Sequence, residues 1–287
     1  MADYRSIQGL RAISDLFDLF LIDQFGVLHD GVRPYEGAIE CLTNLKAKRK
    51  SVVLLSNSGK RAAANVTRLI EFGFPVGSFD HAVTSGEVAW QGILDRTFGA
   101  PFVPGNSMFL VGHDDYDYGF HTIGLEQVDD PADADFILIA ASSAPKMSLA
   151  RYRDMLAGAA ACNVPALCCN PDRLMLTATG PQPSAGEIAS LYRDLGGKVT
   201  FVGKPHAAIY AAARKPYPQS TNPRTLAIGD SIEHDIRGGN NVGLPTALVR
   251  TGLSAFLSND QLDQEAARHK AVVSFMLPGL RWDPGAG

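Results

Sequence analysis

Seven short apolar runs, each stopped by a polar or small residue, constrain this chain more than anything else in it. They are Phe17–Ile22 before Asp23, Val52–Leu55 before Ser56, Phe109–Val111 before Gly112, Phe136–Ala141 before Ser142, Thr200–Val202 before Gly203, Leu226–Ile228 before Gly229 and Ala247–Val249 before Arg250. Runs this short and this continuously apolar read as strands buried on both faces, as in a parallel sheet. Helical stretches lie between them. Glu36–Lys50 sets Ile39, Leu42 and Leu45 on one face and ends in a basic turn, which suits a helix C-terminus. Ala185–Leu195 and His206–Lys215 read the same way. Strands alternating with helices indicate a doubly wound α/β protein. In such sheets ligands settle at the carboxyl ends of the strands, near a switch in strand order.

Composition narrows the remaining classes. With 287 residues, 46% of them hydrophobic and 20% charged, the chain suits a globular protein with a full core, in one large domain or two moderate ones. No apolar run reaches the roughly 18 residues that a spanning helix needs. The start, MADYRSIQGL, lacks the basic-then-apolar order of a signal peptide, so no membrane association and a cytoplasmic location are expected. A net charge of −4 without a basic block disfavours a nucleic-acid partner. Cys41, Cys162, Cys168 and Cys169 match no zinc spacing and read as ordinary reduced or buried thiols.

Four strand closures carry chemistry. Phe20-Leu21-Ile22-Asp23-Gln24-Phe25-Gly26 puts a carboxylate at a strand end, followed three residues on by Gly. Asp23 can project into a crevice there, or merely cap a turn. Ser56-Asn57-Ser58-Gly59 offers hydroxyl and amide groups that suit an anion, although Ser and Asn also cap helices. Gly203-Lys204-Pro205 delivers one Lys, a residue type that is usually solvated. Gly229-Asp230-Ser231-Ile232-Glu233-His234-Asp235 places two carboxylates five residues apart, able to meet one hard cation such as Mg²⁺ or to lie solvated in a loop. Together they supply what phosphoryl transfer through an aspartyl intermediate needs: a nucleophile, phosphate donors, a counter-charge and an acid-held metal. Asp23, Asp230 and Asp235 would repel one another without a metal and Lys204.

These motifs resemble the haloacid dehalogenase (HAD) superfamily of aspartate-nucleophile hydrolases, in its class IIA branch of p-nitrophenyl phosphatase and pyridoxal phosphate phosphatase-like proteins. The resemblance spans nearly the whole chain. It includes Cys169-Asn170-Pro171-Asp172, the Ala185–Gly197 helix, Gly203-Lys204-Pro205-His206 and the closing GDSIEHDIRGGNNVGLPTALVRTG from Gly229 to Gly252. It implies a Rossmann-like HAD core with an inserted α/β cap domain: core over 1–85, cap over 86–196, core again over 197–287. It makes Asp23 the nucleophile and a metal ligand, Ser56 and Asn57 the phosphate holders, and Lys204 the residue that neutralises phosphate and orients Asp23. Mg²⁺ would be bound by Asp230, with Asp235 beside it, and by the backbone carbonyl of Phe25. The substrate would be a small phosphorylated metabolite, and pairing of two chains through the cap is consistent with the branch.

One position departs from the pattern. Phosphatases of this family carry a second Asp two residues after the nucleophile, to protonate the leaving group and activate water. This chain has Phe25 there. A lost general acid–base is worth roughly 10²–10⁴-fold. Three accounts stand side by side. His29 or Asp30 substitutes, His29 being able to titrate near neutrality unless both lie on a solvated turn. The substrate needs little proton help, as an acyl phosphate or activated ester would. Or the protein binds a phosphorylated ligand and turns it over slowly or not at all. Retention of Asp230 and Asp235 argues against halide displacement. The segment His113–Tyr118 is read either as a substrate contact or as a solvated loop.

Overall fold

The computed structural model describes residues 4–177, 180–217 and 223–283. Along the chain, β1 (Arg5–Ser6), β2 (Leu19–Asp23), α1 (Ala38–Ala47), β3 (Ser51–Ser56), α2 (Ala62–Glu71) and β4 (His81–Thr84) come first. Next are α3 (Ser85–Leu94), β5 (Ser107–Val111), β6 (Glu126–Gln127), β7 (Phe136–Ile139), α4 (Leu149–Ala161) and β8 (Ala166–Cys168). A hairpin of β9 (Leu174–Thr177) and β10 (Gly180–Pro183) leads to α5 (Ala185–Asp194) and β11 (Val199–Phe201). The chain closes with α6 (Ala207–Arg214), β12 (Thr225–Gly229), α7 (Arg237–Asn241), β13 (Thr246–Val249), α8 (Asn259–His269) and β14 (Phe275–Leu277).

These elements form two compact units, one of 1–56, 63–83 and 204–287, the other of 57–62 and 84–203. The first holds a seven-stranded sheet in the order β1-β14-β13-β12-β2-β3-β4, parallel from β1 through β3. Every residue of β2 is buried, which is why its sequence shows no alternation. The helix α1 buries Ala38, Cys41, Leu42 and Leu45 and starts at Gly37, whose φ of 82° glycine adopts without strain. Its face joins Phe20, Ile22, Val52 and Leu54 in one apolar cluster. Each such fully buried side chain contributes about 1.5–3 kcal/mol.

The second unit has its own parallel sheet, β11-β8-β7-β5-β6, with α4 and α5 packed on it through Tyr152, Leu156, Ile188 and Tyr192. Because β11 pairs with β8, residues 197–203 pack with this unit. Side-chain caps set two helix starts: Thr84 accepts from the Glu87 N–H at the start of α3, and Ser148 from the Arg151 N–H at the start of α4.

Both sheets reverse their winding at one place. From β2 the chain moves outward to β3 and β4, and from β12 it moves the other way to β13 and β14. In the second unit β5 leads outward to β6, while β7 leads the other way to β8 and β11. The carboxyl ends of β2 and β12, and of β5 and β7, are therefore the two crevices where this architecture seats ligands. Among the described residues no helix is long and apolar enough to cross a membrane. All four cysteines are free thiols; Cys41, Cys168 and Cys169 are buried and Cys162 is exposed.

Candidate active site

The first crevice gathers the acids. Asp23 ends β2, and Asp230 follows Gly229, the last residue of β12. A single π-type turn, Ile232–Ile236, then brings Asp235 back against the strand end. Gly229 permits this, since a Cβ there would collide with the Asp235 carboxylate. The Ser231 N–H donates to Asp235 Oδ2 at 3.0 Å, which fixes the carboxylate. Asp23, Asp230 and Asp235 are all buried and offer oxygens that lie within 4.8 Å of one another.

Among the described residues, the Lys204 ammonium lies against two of these carboxylates. Lys204, 3% exposed, donates to Asp23 Oδ1 and, at 2.7 Å, to Asp235 Oδ1. Burial alone would depress its pKa; the charges of Asp23 and Asp235 outweigh that and hold it well above the ordinary lysine value. Burial, then the carboxylates of Asp23 and Asp235, push the Asp230 carboxyl far above the usual range. Three buried hard-oxygen donors that one lysine does not neutralise fit a divalent cation in both ligand type and charge.

A strap behind Asp230 completes the site. The Leu253 N–H donates to Asp230 Oδ2 at 2.6 Å, and the Thr251 hydroxyl donates to the Gly26 carbonyl at 2.6 Å. Gly26 and Gly252 have φ of 87° and 53°, and a Cβ on either would strike the Asp230 carboxylate. Buried Tyr210 donates to the Asp235 carbonyl at 3.4 Å. The sequence reading assigns no role to Thr251–Leu253 or Tyr210; the only local signal is a glycine just past a strand.

The other expected residues fall as follows. Ser56 closes β3, buried, one residue beyond Leu55, the register partner of Asp23. Asn57 belongs to the second unit, where its amide donates to Asp172 Oδ1 at 2.7 Å and its Oδ1 accepts from Ser85. Phe25 is 40% exposed, with its ring edge-on to His29 at 5.8 Å.

His29 is neither on a solvated turn nor titrating near neutrality. It is buried between Phe25 and Phe72, and its Nδ1 accepts from the Gly31 N–H at 3.1 Å. Burial, helped by Arg68, lowers its pKa to about 4. Asp30, by contrast, sits on the exposed turn and accepts from the Val32 and Arg33 N–H groups. A base with a folded pKa below its unfolded value of about 6.5 contributes stability above that value and loses it as the pH falls toward 4. Thermal melts across this window should show an acid-side loss of stability that shrinks in His29→Asn; an unchanged profile would deny His29 that part.

In the second unit, Tyr118 is buried and accepts from the His113 N–H at 3.2 Å, whereas Asp114, Asp115 and Asp117 are exposed.

A parallel sheet that presents a carboxylate nest and a buried lysine at its switch point defines a doubly wound α/β protein built around a strand-end aspartate. Residues 20–126 match the family described as haloacid dehalogenase-like hydrolase, and residues 201–275 match one described as HAD-hydrolase-like. Chronophin of Rattus norvegicus is 26% identical over 273 residues, covering 91% of this chain and 84% of that protein. The structure of a haloacid dehalogenase-like hydrolase from Brucella suis 1330 superposes with a TM-score of 0.79 at 24% identity, over 96% of this chain and 99% of that one. A glycerol phosphate phosphatase from Mycobacterium tuberculosis, in complex with calcium, gives a TM-score of 0.66 at 25% identity, over 84% of this chain and 68% of that one. The chain belongs to the haloacid dehalogenase superfamily of hydrolases, in its class IIA branch.

Proposed function

We propose that the protein is a Mg²⁺-dependent phosphohydrolase of the cytoplasm, acting on a small phosphorylated metabolite. The observation that carries this is the convergence of Asp23, Asp230 and Asp235 on one buried point, with Lys204 bridging two of them. The likeness to a phosphatase solved with a divalent cation supports it. A cation held by Asp230 and Asp23, with Asp235 beside it and the Phe25 carbonyl as a further ligand, would neutralise phosphate oxygens. An Asp23 oxygen attacks phosphorus, forming a P–O bond as the ester P–O bond breaks and the leaving oxygen takes both electrons. Lys204 keeps Asp23 oriented and offsets charge, and Ser56 and Asn57 hold the phosphoryl oxygens. Water then attacks the aspartyl-phosphate, releasing phosphate and restoring the carboxylate. The second unit serves as the cap that chooses the substrate, and pairing of two chains belongs to the same reading.

Phe25 shapes the activity. With a hydrocarbon ring at that position and His29 buried with its pKa lowered to about 4, the leaving oxygen draws its proton from water. Esters with good leaving groups should turn over best. The test is p-nitrophenolate release from p-nitrophenyl phosphate: activity with Mg²⁺, abolished by EDTA and restored by added Mg²⁺. Phe25→Asp should raise hydrolysis of alkyl phosphates by about 10²-fold or more, since a general acid is worth that much. No gain would mean that another group already donates the proton. The same Phe25 favours a second reading, a phosphate-ligand-binding protein with negligible turnover. That reading requires thermal stabilisation by phosphorylated metabolites with no phosphate release.

A further inference from the structure

The second unit repeats the topological switch that places Asp23 and Asp230 in the first. Its β5 and β7 are neighbours whose onward connections leave in opposite directions, so a crevice opens beyond their carboxyl ends. A cavity of about 530 Å³ lies there, lined only by residues of this unit. Its size falls within the range of small-molecule sites, roughly 300–1,000 Å³. We propose that this cavity is a ligand site in its own right, for a neutral nucleoside-type molecule with an aromatic ring and a hydroxylated sugar.

The walls specify that chemistry. Half-buried Phe109, Met147 and Met155 form the apolar side, where a flat ring packs against an aromatic face and polarisable thioethers. Tyr152, 2% exposed, also lines the cavity, and its hydroxyl is held beside Ser143. That oxygen accepts from the Ser143 N–H at 2.9 Å, and among the described residues its own hydrogen meets no acceptor, so it remains a donor to a ring nitrogen or carbonyl. Ser143 is locked in place because its hydroxyl donates to the Gly112 carbonyl at 3.1 Å, which ties the end of β7 to the end of β5.

The lining also carries Asp114 and Asp115, both exposed, whose carboxylate oxygens are acceptors for the hydroxyls of a sugar diol. They outnumber the single cation of the lining, Lys146, so the rim disfavours a phosphorylated ligand and favours an uncharged one. None of the residues given a part in phosphoryl transfer lines this cavity.

Calorimetric titration of the full chain with adenosine tests the proposal, with AMP as the charged counterpart. Saturable adenosine binding is expected, tighter than AMP at this site and unchanged by Asp23→Asn. The double substitution Asp114→Asn with Asp115→Asn, at exposed positions, should weaken it by about tenfold or more, the scale of a lost charge-assisted hydrogen bond. Tyr152→Phe, which keeps the ring, should weaken it as well. No saturable binding at millimolar adenosine, binding that ignores the aspartate pair, or binding lost on Asp23→Asn would each overturn the assignment.

Discussion

Asp23→Asn should reduce Mg²⁺-dependent hydrolysis of p-nitrophenyl phosphate by roughly a thousandfold or more, without unfolding the chain. An amide cannot form the acyl phosphate, and loss of a covalent nucleophile typically has effects of this order or larger. The stability response makes the expectation sharper. In EDTA, Asp23, Asp230 and Asp235 crowd within 4.8 Å against the one ammonium of Lys204. Removing one negative charge relieves that crowding, and Asn still accepts from Lys204. The metal-free variant should therefore melt no lower than the native chain. Saturating Mg²⁺ should stabilise the native chain by about 2.7 kcal/mol at a hundredfold excess over its dissociation constant, and the variant by much less. Calorimetric melts with and without Mg²⁺, beside p-nitrophenolate release, separate these effects. Undiminished turnover in Asp23→Asn would sink the nucleophile assignment.

Lys204→Met should be the most destabilising substitution at the site. Methionine fills similar space but removes the ammonium paired with Asp23 and Asp235, and breaking a buried ion pair from one side costs about 3–5 kcal/mol. The loss should be greatest in EDTA and partly reversed by Mg²⁺, because added positive charge replaces what the ammonium supplied. Turnover should fall in both conditions, as Asp23 loses the group that orients it. Urea unfolding measured in EDTA and in Mg²⁺ decides the matter: equal stability of variant and native chain in EDTA would show that Lys204 does not offset the acids.

Much of this was legible because strands buried on both faces write themselves as apolar runs. The runs before Gly112 and Arg250 end where β5 and β13 end, and those before Asp23, Ser56 and Gly229 stop a residue short of the ends of β2, β3 and β12. Elements that are short or polar left no such mark: β1 has two residues, β6 is Glu126–Gln127, and β14 is only three residues long. The acids were readable as strand-end residues, but the strap that holds Asp230 was not. It is built from backbone, the Leu253 N–H and the space left by Gly26 and Gly252, and spacing does not encode backbone direction. His29 was misread for a related reason. Its neighbours Asp30 and Gly31 spell a turn, and the ring that buries it, Phe72, arrives from beyond α2.

The order of strands also governs how the protein comes off the ribosome. β2 and β3 are made within the first 56 residues, yet the strand that pairs with the other side of β2 is β12, which begins at Thr225. During synthesis β2 therefore presents an open, largely apolar strand while about 170 more residues are added, a span that includes the whole second unit. Lys204 is made near the end of that interval and Asp230 and Asp235 only after it, so the nest around Asp23 closes late in synthesis. A nascent chain of this kind carries Asp23 at a bare strand end and assembles the nest around it only as its last third is completed.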